Sequence, residues 1–351
     1  MKREFTKEDT LVVKGFAILS LLFYHLFQHY ERVTGMQVDY RPFSLETFLT
    51  ISGFGNICVA VFAFLSAYGI TKGIMAQQDK HLQILYKKAC GRYLKLTANF
   101  VAMFASVNLL WFSKFDYIKL YGNGWQGILY GMLDALGLAG TFKTPTINDT
   151  WWYMELAILI IFVAPLLYFV AKKMGNYTIL LAVLLPVAVE LTFDVKRYYF
   201  VILFGVLAAT GEWFEKLFAI RVPFIWQVLG GILLLGILVL FRQNYVVYNE
   251  FAYLVDAPVA MFFAWFGAKL LSHIPGVKWV LSLLGKHSMN IYFVHTFFYM
   301  AIYQEFIYSF RYAGIIFVML IVVSLGYSLV LEGIKRLLCF SRALVWIEKK
   351  F

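Results

Sequence analysis

An all-α, polytopic integral membrane protein is the fold class that this sequence predicts, and three observations predict it. Hydrophobic residues make up 62% of the chain and charged residues 15%, far from the usage of a soluble domain. Apolar stretches close to the roughly 20 residues that cross a bilayer recur along its whole length. The lysines and arginines cluster in the loops between those stretches, where they set topology.

Ten candidate spans follow, at 11–30, 54–71, 96–113, 152–171, 177–193, 198–211, 222–241, 252–270, 285–304 and 312–334. The doubtful segment is Trp125–Gly140, which is short, carries Asp134 and is broken by glycines. If it does not span, 22 of the 31 basic residues fall on one side and 9 on the other. If it does, everything after it inverts and the division becomes 15 against 16. The positive-inside rule therefore selects about ten transmembrane helices with both termini cytoplasmic. Residues 114–151 then form an outer loop or re-entrant piece of one membrane domain covering 1–351. The net charge of +11 reports this topology, so no nucleic-acid partner is expected.

Several function classes drop out. The first span is too long for a signal-peptide h-region and lacks small residues after it, so no cleavable leader is expected. Cys58, Cys90 and Cys339 show neither disulfide nor metal-ligand spacing, and no metal is expected. A Gly-rich phosphate loop and a Gly-x-Ser-x-Gly elbow are both absent, which argues against a soluble catalytic domain.

The first span carries the most informative pair. Lys14 and His25 are eleven residues apart, which at about 100° per residue returns the chain to within about 20° of the same helix face. The rise separates them by about 16 Å and, in the topology above, puts His25 about 21 Å into a core about 30 Å thick. An ionisable pair on one stripe of a membrane helix is costly unless it faces a cavity or a partner, which makes it a functional candidate. The plainer account is that Lys14 snorkels to the headgroups and His25 bonds a neighbouring helix.

Other polar groups gather at two levels. Ser288, Tyr292, His295 and Tyr299 share one face of the penultimate span at 4-3-4 spacing, a pattern that serves helix packing as readily as chemistry. Glu155 enters from the outer end of its span beside the belt-like Trp151 and Trp152, where it can cap the helix. Asp256, two residues before Pro258, suits a helix start. Arg92 and Lys95 belong to a basic loop with a topological role, and they also directly precede a span, where they can hold an anionic ligand.

The order of these elements resembles membrane-bound acyltransferase family 3, the O-acyltransferases of bacterial cell-surface polysaccharides. The resemblance rests on Lys14–Gly15 with ten residues before His25, FAFLSAYGITKG at 62–73, and Arg92-x-x-Lys95 before the third span. It continues in TWWYMELAILIIFVAPLL after the outer loop and LGKHSMNIYFVHTFF at 284–298. Lys14 stands where the commoner family form has arginine, so a bidentate clamp gives way to a point charge. Lysine also takes the second basic position before the third span, and Ala67 replaces the usual glycine after Ser66.

The resemblance implies a membrane-resident transferase of the bacterial plasma membrane, with no bound cofactor. Its donor would be an acyl-CoA, most often acetyl-CoA, approaching from the cytoplasm, and its acceptor a surface glycan hydroxyl. Lys14, Arg92 and Lys95 then fall to the donor phosphates and His25 to the general base or a transient acyl carrier. Glu155 would orient that histidine, and His295 would polarise the acyl carbonyl or bind acceptor. Ser288, Tyr292 and Trp152 would support the acceptor, with aromatic residues of 114–151 stacking on sugar rings. The acyl group would travel outward along the first helix. The chemistry is expected within the membrane domain, because the chain ends soon after its last span. A transporter or flippase of lipid-linked sugars, or a non-catalytic sensory domain, fits the same ten spans.

Overall fold

The computed structural model describes residues 3–28, 35–188, 193–243 and 245–351. In chain order its helices are α1 Lys7–Phe27, α2 Leu45–Gly53, α3 Cys58–Met75, α4 Leu82–Trp111, α5 Tyr117–Tyr121, α6 Gly124–Ala135, α7 Tyr153–Met174 and α8 Thr178–Ala188. They continue as α9 Phe193–Thr210, α10 Trp213–Phe218, α11 Phe224–Gln243, α12 Tyr245–Leu270, α13 Pro275–Thr296, α14 Gln304–Tyr308, α15 Ala313–Leu337 and α16 Phe340–Lys350. No strand forms among the described residues beyond one isolated bridge between Asp39 and Tyr312.

Among the described residues, seven helical runs are long and apolar enough to cross a membrane: Lys7–Phe27, Leu45–Met75, Leu82–Lys114, Asp149–Leu185, Ile225–Arg242, Leu254–His273 and Ala313–Leu337. The chain is thus an all-α polytopic membrane protein. The expected spans at 198–211 and 285–304 are helical too, as α9 and α13. Both carry charge: Asp194, Lys196 and Arg197 open α9, and Lys278 and Lys286 lie along α13. Residues 29–30 and 189–192, at the ends of two expected spans, lie outside the described residues. Within the doubtful outer segment, α6 has 12 residues and rises about 18 Å, well short of a core about 30 Å thick.

The chain forms two compact units, interleaved in sequence, with dividing points inside α7 and α13. The first comprises residues 1–28, 46–82 and 162–288. Here α1, α3, α9 and α12 pack on one another. Lipid tails are as apolar as leucine, so close van der Waals fit rather than hydrophobic transfer holds such helices together. The sequence supplies that fit with small side chains: Ala257, Ala260, Ala264 and Ala268 run down α12, Ala63 and Ala67 down α3, and all are fully buried. The start of α1 is set by Thr6, whose hydroxyl accepts the Asp9 N–H while the Asp9 carboxylate accepts the Thr6 N–H. Arg3 donates to the Ala268 carbonyl at 3.0 Å, and Phe5 stacks on Phe214 at 4.3 Å, which fix the segment before the helix.

The tightest crossing lies between α1 and the first half of α13. A β-carbon at Gly15 would sit 1.9 Å from the Leu281 carbonyl oxygen, and one at Gly285 1.9 Å from that of Leu11. The two backbones touch, and only glycine permits it. Asp256, by contrast, does not start a helix. It lies well inside α12, 1% exposed, because α12 continues through Pro258. Its carboxylate is taken instead by Arg242 of α11, with Arg197 of α9 at 3.7 Å.

The second unit comprises residues 29–45, 83–161 and 289–351. Its core is aromatic. Phe100 of α4 meets Trp151 and Phe293 edge-on at 5.1 and 5.0 Å, and Trp111 stacks on Tyr327 of α15 at 5.8 Å. After α13 the backbone widens into one i→i+5 turn over Phe297–Ala301, closed by Ile302 N–H to the Phe297 carbonyl at 2.9 Å.

The glycine crossing gives a two-sided prediction. Gly285→Ala should lower the thermal unfolding midpoint of the purified protein, with a cost at or above the top of the usual overpacking range of about 1–3 kcal/mol. Gly326→Ala, at a helical glycine whose β-carbon would meet nothing within 4 Å, should leave the midpoint unchanged or raise it by the equivalent of about 0.4–1 kcal/mol. Equal midpoints for the two variants would contradict the crossing.

Candidate functional site

In the first unit, α1 is one uninterrupted helix from Lys7 to Phe27, so the eleven-residue spacing of Lys14 and His25 becomes a rise of about 16 Å along a single face. Lys14 is half-buried one residue before the Gly15 crossing. Among the described residues, no carboxylate or other acceptor lies within bonding distance of its ammonium group. A desolvated cation without a counter-ion is costly in this setting, and the cost is relieved by an anionic ligand. His25 stands in the last turn of α1, half-buried, with its ring 5.4 Å from that of Tyr24.

The second unit holds the other two basic candidates, one turn apart on α4. Arg92 is half-buried and, among the described residues, has no carboxylate partner. Lys95 is already engaged, 2.7 Å from the Glu348 carboxylate of α16. The hydrogen bond from Lys95 holds the Glu348 carboxyl below the usual carboxylate range. The same helix end is pinned by Phe351, whose β-carbon would lie 2.8 Å from a β-carbon on Gly91.

A buried polar chain runs beside this basic segment, and sequence reasoning missed it. Lys335 of α15, 5% exposed, donates to Asn99 Oδ1 at 3.1 Å and to Glu332 at 2.9 Å. Asn290 of α13 donates to Glu332 at 3.0 Å and to Ser328 at 2.9 Å. The available signal was Glu332 and Lys335 at i,i+3 spacing at the end of an otherwise apolar span, a pair easily taken for tail charges.

The penultimate-span stripe separates into distinct roles. Ser288 donates to its own helix at the Gly285 carbonyl, 2.9 Å away. Tyr292 donates to the Thr150 carbonyl at 2.7 Å, tying α13 to the start of α7. His295 is fully buried, stacked on Tyr299 at 5.8 Å, with Nδ1 2.6 Å from the Tyr292 carbonyl. A carbonyl only accepts, so Nδ1 carries a proton. Trp152 is half-buried with its ring 6.3 Å from Tyr153. Its neighbour Trp151 is the one docked on α13, donating to the Phe293 carbonyl at 2.9 Å. Asn148 joins it by donating to Thr296.

Glu155 accepts the Thr141 N–H at 2.7 Å and so fastens the outer segment to the first turn of α7. A second fastening is Asp134, 1% exposed, which accepts from the Tyr121 hydroxyl at 2.6 Å, the Thr146 hydroxyl at 2.7 Å and the Ile147 N–H at 2.8 Å. Burial pushes its carboxyl above the ordinary carboxylate range despite those donors. Among the described residues, no three His, Cys, Asp or Glu side chains cluster as a metal site.

The family model described as an acyltransferase domain, that of acyltransferase family 3, matches residues 12–332, nearly the whole chain. No curated protein and no solved structure matches the chain.

Asp134 gives the prediction for the outer segment. Asp134→Ala strands three donors, at about 1–3 kcal/mol for each buried group left unpaired. Limited proteolysis should then cut within 117–147 much faster than in the parent protein, while α4 and α15 stay protected. Unchanged cleavage would show that the carboxylate does not hold the segment.

Proposed function

The chain belongs to acyltransferase family 3, and from that membership we propose that it transfers an acetyl group from cytoplasmic acetyl-CoA to a hydroxyl of a cell-surface carbohydrate in the bacterial plasma membrane. Membership makes it an acyltransferase acting within a lipid bilayer on a hydroxyl of a sugar-like acceptor. The observation that carries the finer reading is α1 itself: a desolvated lysine and a histidine on one helix face, about 16 Å apart, with no counter-ion for the lysine among the described residues.

The chemistry follows from these groups. The imidazole of His25 takes the proton of the acceptor hydroxyl as its oxygen attacks the thioester carbonyl. The new C–O bond forms, the C–S bond breaks, and the departing thiolate of CoA receives the proton from the imidazolium. Lys14, Arg92 and Lys95 are assigned to the donor phosphates, to which ammonium and guanidinium groups give charge-assisted hydrogen bonds. His295 is assigned to the acceptor or to the acyl carbonyl. Glu155 is assigned to holding the outer segment, since its carboxylate receives the Thr141 N–H.

The decisive experiment incubates purified protein with radiolabelled acetyl-CoA and de-esterified surface polysaccharide. His25→Ala should lower transfer by about 10²–10⁴-fold, the usual contribution of a positioned general base, without loss of folded protein. Near-normal transfer by that variant would overturn the mechanism. In cells, loss of surface ester with glycan export intact marks an enzyme, whereas loss of export marks a carrier. Glu348 supplies an independent check on the donor side. Glu348→Gln releases Lys95 and should lower the KM for acetyl-CoA by up to about fivefold, as befits an exposed ion pair, with kcat unchanged. A raised KM would remove Lys95 from the donor site.

A further inference from the structure

The first unit contains a cavity of about 510 Å³ that none of the assignments above uses. It lies at the end of α1 remote from Lys14, and Tyr24, Gln28, Thr50, Asn56 and Arg242 line it. The charge distribution places this end outside the cytoplasm. Its volume falls within the range of about 300–1,000 Å³ typical of small-molecule sites.

The polar groups around it are held in place. The Gln28 amide lies 3.2 Å from the Ser52 hydroxyl, which also donates to the Leu49 carbonyl at 2.8 Å. The Arg242 guanidinium, 3% exposed, is clamped by the Asp256 carboxylate at 2.5 Å. Arg197 lies 3.7 Å from the same carboxylate and donates to Asn56 Oδ1 at 3.1 Å, so the Asn56 amide is oriented as well. The lining thus combines planar amides and a guanidinium with the hydroxyls of Tyr24 and Thr50.

That set suits a ligand whose groups each both donate and accept. Vicinal hydroxyls of a sugar ring meet this requirement against planar amides and a guanidinium. A phosphate, which only accepts, makes no use of the Thr50 hydroxyl, whose proton already goes to the Glu46 carbonyl at 2.9 Å. The position is also suitable. Tyr24 and Gln28 lie one turn apart on one face of the helix, and His25 lies about 60° round from Gln28, within one turn of both.

We propose that this cavity is the acceptor subsite and binds a sugar residue of the glycan through Gln28, Thr50, Asn56 and Arg242, with the hydroxyl to be acylated turned toward His25. The assignment rests on the acyl-transfer reading above only for the role of the bound sugar. Binding itself is separately measurable.

The test uses the full chain in lipid nanodiscs without acetyl-CoA. The probe is tritiated oligosaccharide released from the host's own surface polysaccharide and de-esterified with mild alkali. Gln28→Ala and Thr50→Ala each remove one side-chain hydrogen-bonding group, and each should weaken binding by about threefold to tenfold. Acetyl-CoA affinity should stay within about twofold in both, a difference under about 0.4 kcal/mol. Displacement by free monosaccharide but not by inorganic phosphate is expected. Unchanged oligosaccharide affinity in both variants, parallel loss of acetyl-CoA affinity, or displacement by phosphate alone would each overturn the proposal. Absence of acetyl transfer alongside variant-sensitive binding would sink the enzymatic reading and leave the sugar site standing.

Discussion

Two backbone contacts set the position of α1, and the proposed chemistry depends on where α1 sits. The carbonyl oxygens of Leu281 and Leu11 occupy the places that β-carbons at Gly15 and Gly285 would need. In hydrocarbon no solvent term pulls helices together, so the approach is held by van der Waals fit over the length of the contact. The fit locks α1 in rotation as well as in distance, because a turn of one residue would bring Lys14 or Phe16 into the crossing. Lys14 is therefore placed beside the contact by its neighbour. The helix then carries His25 to its far end without a kink, since Lys7–Phe27 contains no proline.

Much of this was legible in the sequence because it lies along a single helix. Lys14 and His25 are related by helical periodicity alone, and periodicity needs no knowledge of neighbours. The apolar runs and the asymmetry of the basic residues were legible for the same reason. What periodicity leaves out is which helix faces which. Asp256 reads as a helix start from its distance to Pro258, yet Arg242 and Arg197, on two other helices, claim it. Lys335 reads as a tail charge until Asn99 and Glu332 are seen to hold it. Of two adjacent tryptophans, Trp151 docks on α13 while Trp152 stays half-buried, and a belt pattern treats them alike.

The polar groups of this chain also differ in a way that their count conceals. Asp256, Arg242, Lys335 and Glu332 are ion-paired, and such pairing is compatible with a purely architectural role. His295 donates Nδ1–H to its own helix and stacks on Tyr299, which fixes its plane. Its stripe partners Ser288 and Tyr292 spend their hydroxyls on backbone carbonyls, as packing residues do. The penultimate span thus joins packing and a candidate chemical group in one stripe, which the 4-3-4 spacing alone leaves undivided.

Lys14 stands apart from that set. A half-buried ammonium in a membrane helix, with no counter-ion among the described residues, is costly, and an anionic ligand relieves that cost. Arginine would spread the charge over a planar fork and bind carboxylates readily. Lysine keeps it at one point, which binds a phosphate as a point charge through charge-assisted hydrogen bonds. An acyl-CoA brings such phosphates, and a neutral sugar does not. The polar cavity at the other end of α1 differs in character, with amides and hydroxyls around a guanidinium that shares the Asp256 carboxylate with Arg197. One helix therefore presents an anion-seeking group at one end and a hydroxyl-seeking set at the other, with His25 beside the second. This is the order in which an acyl group would be delivered if donor and acceptor approach from opposite sides of the membrane.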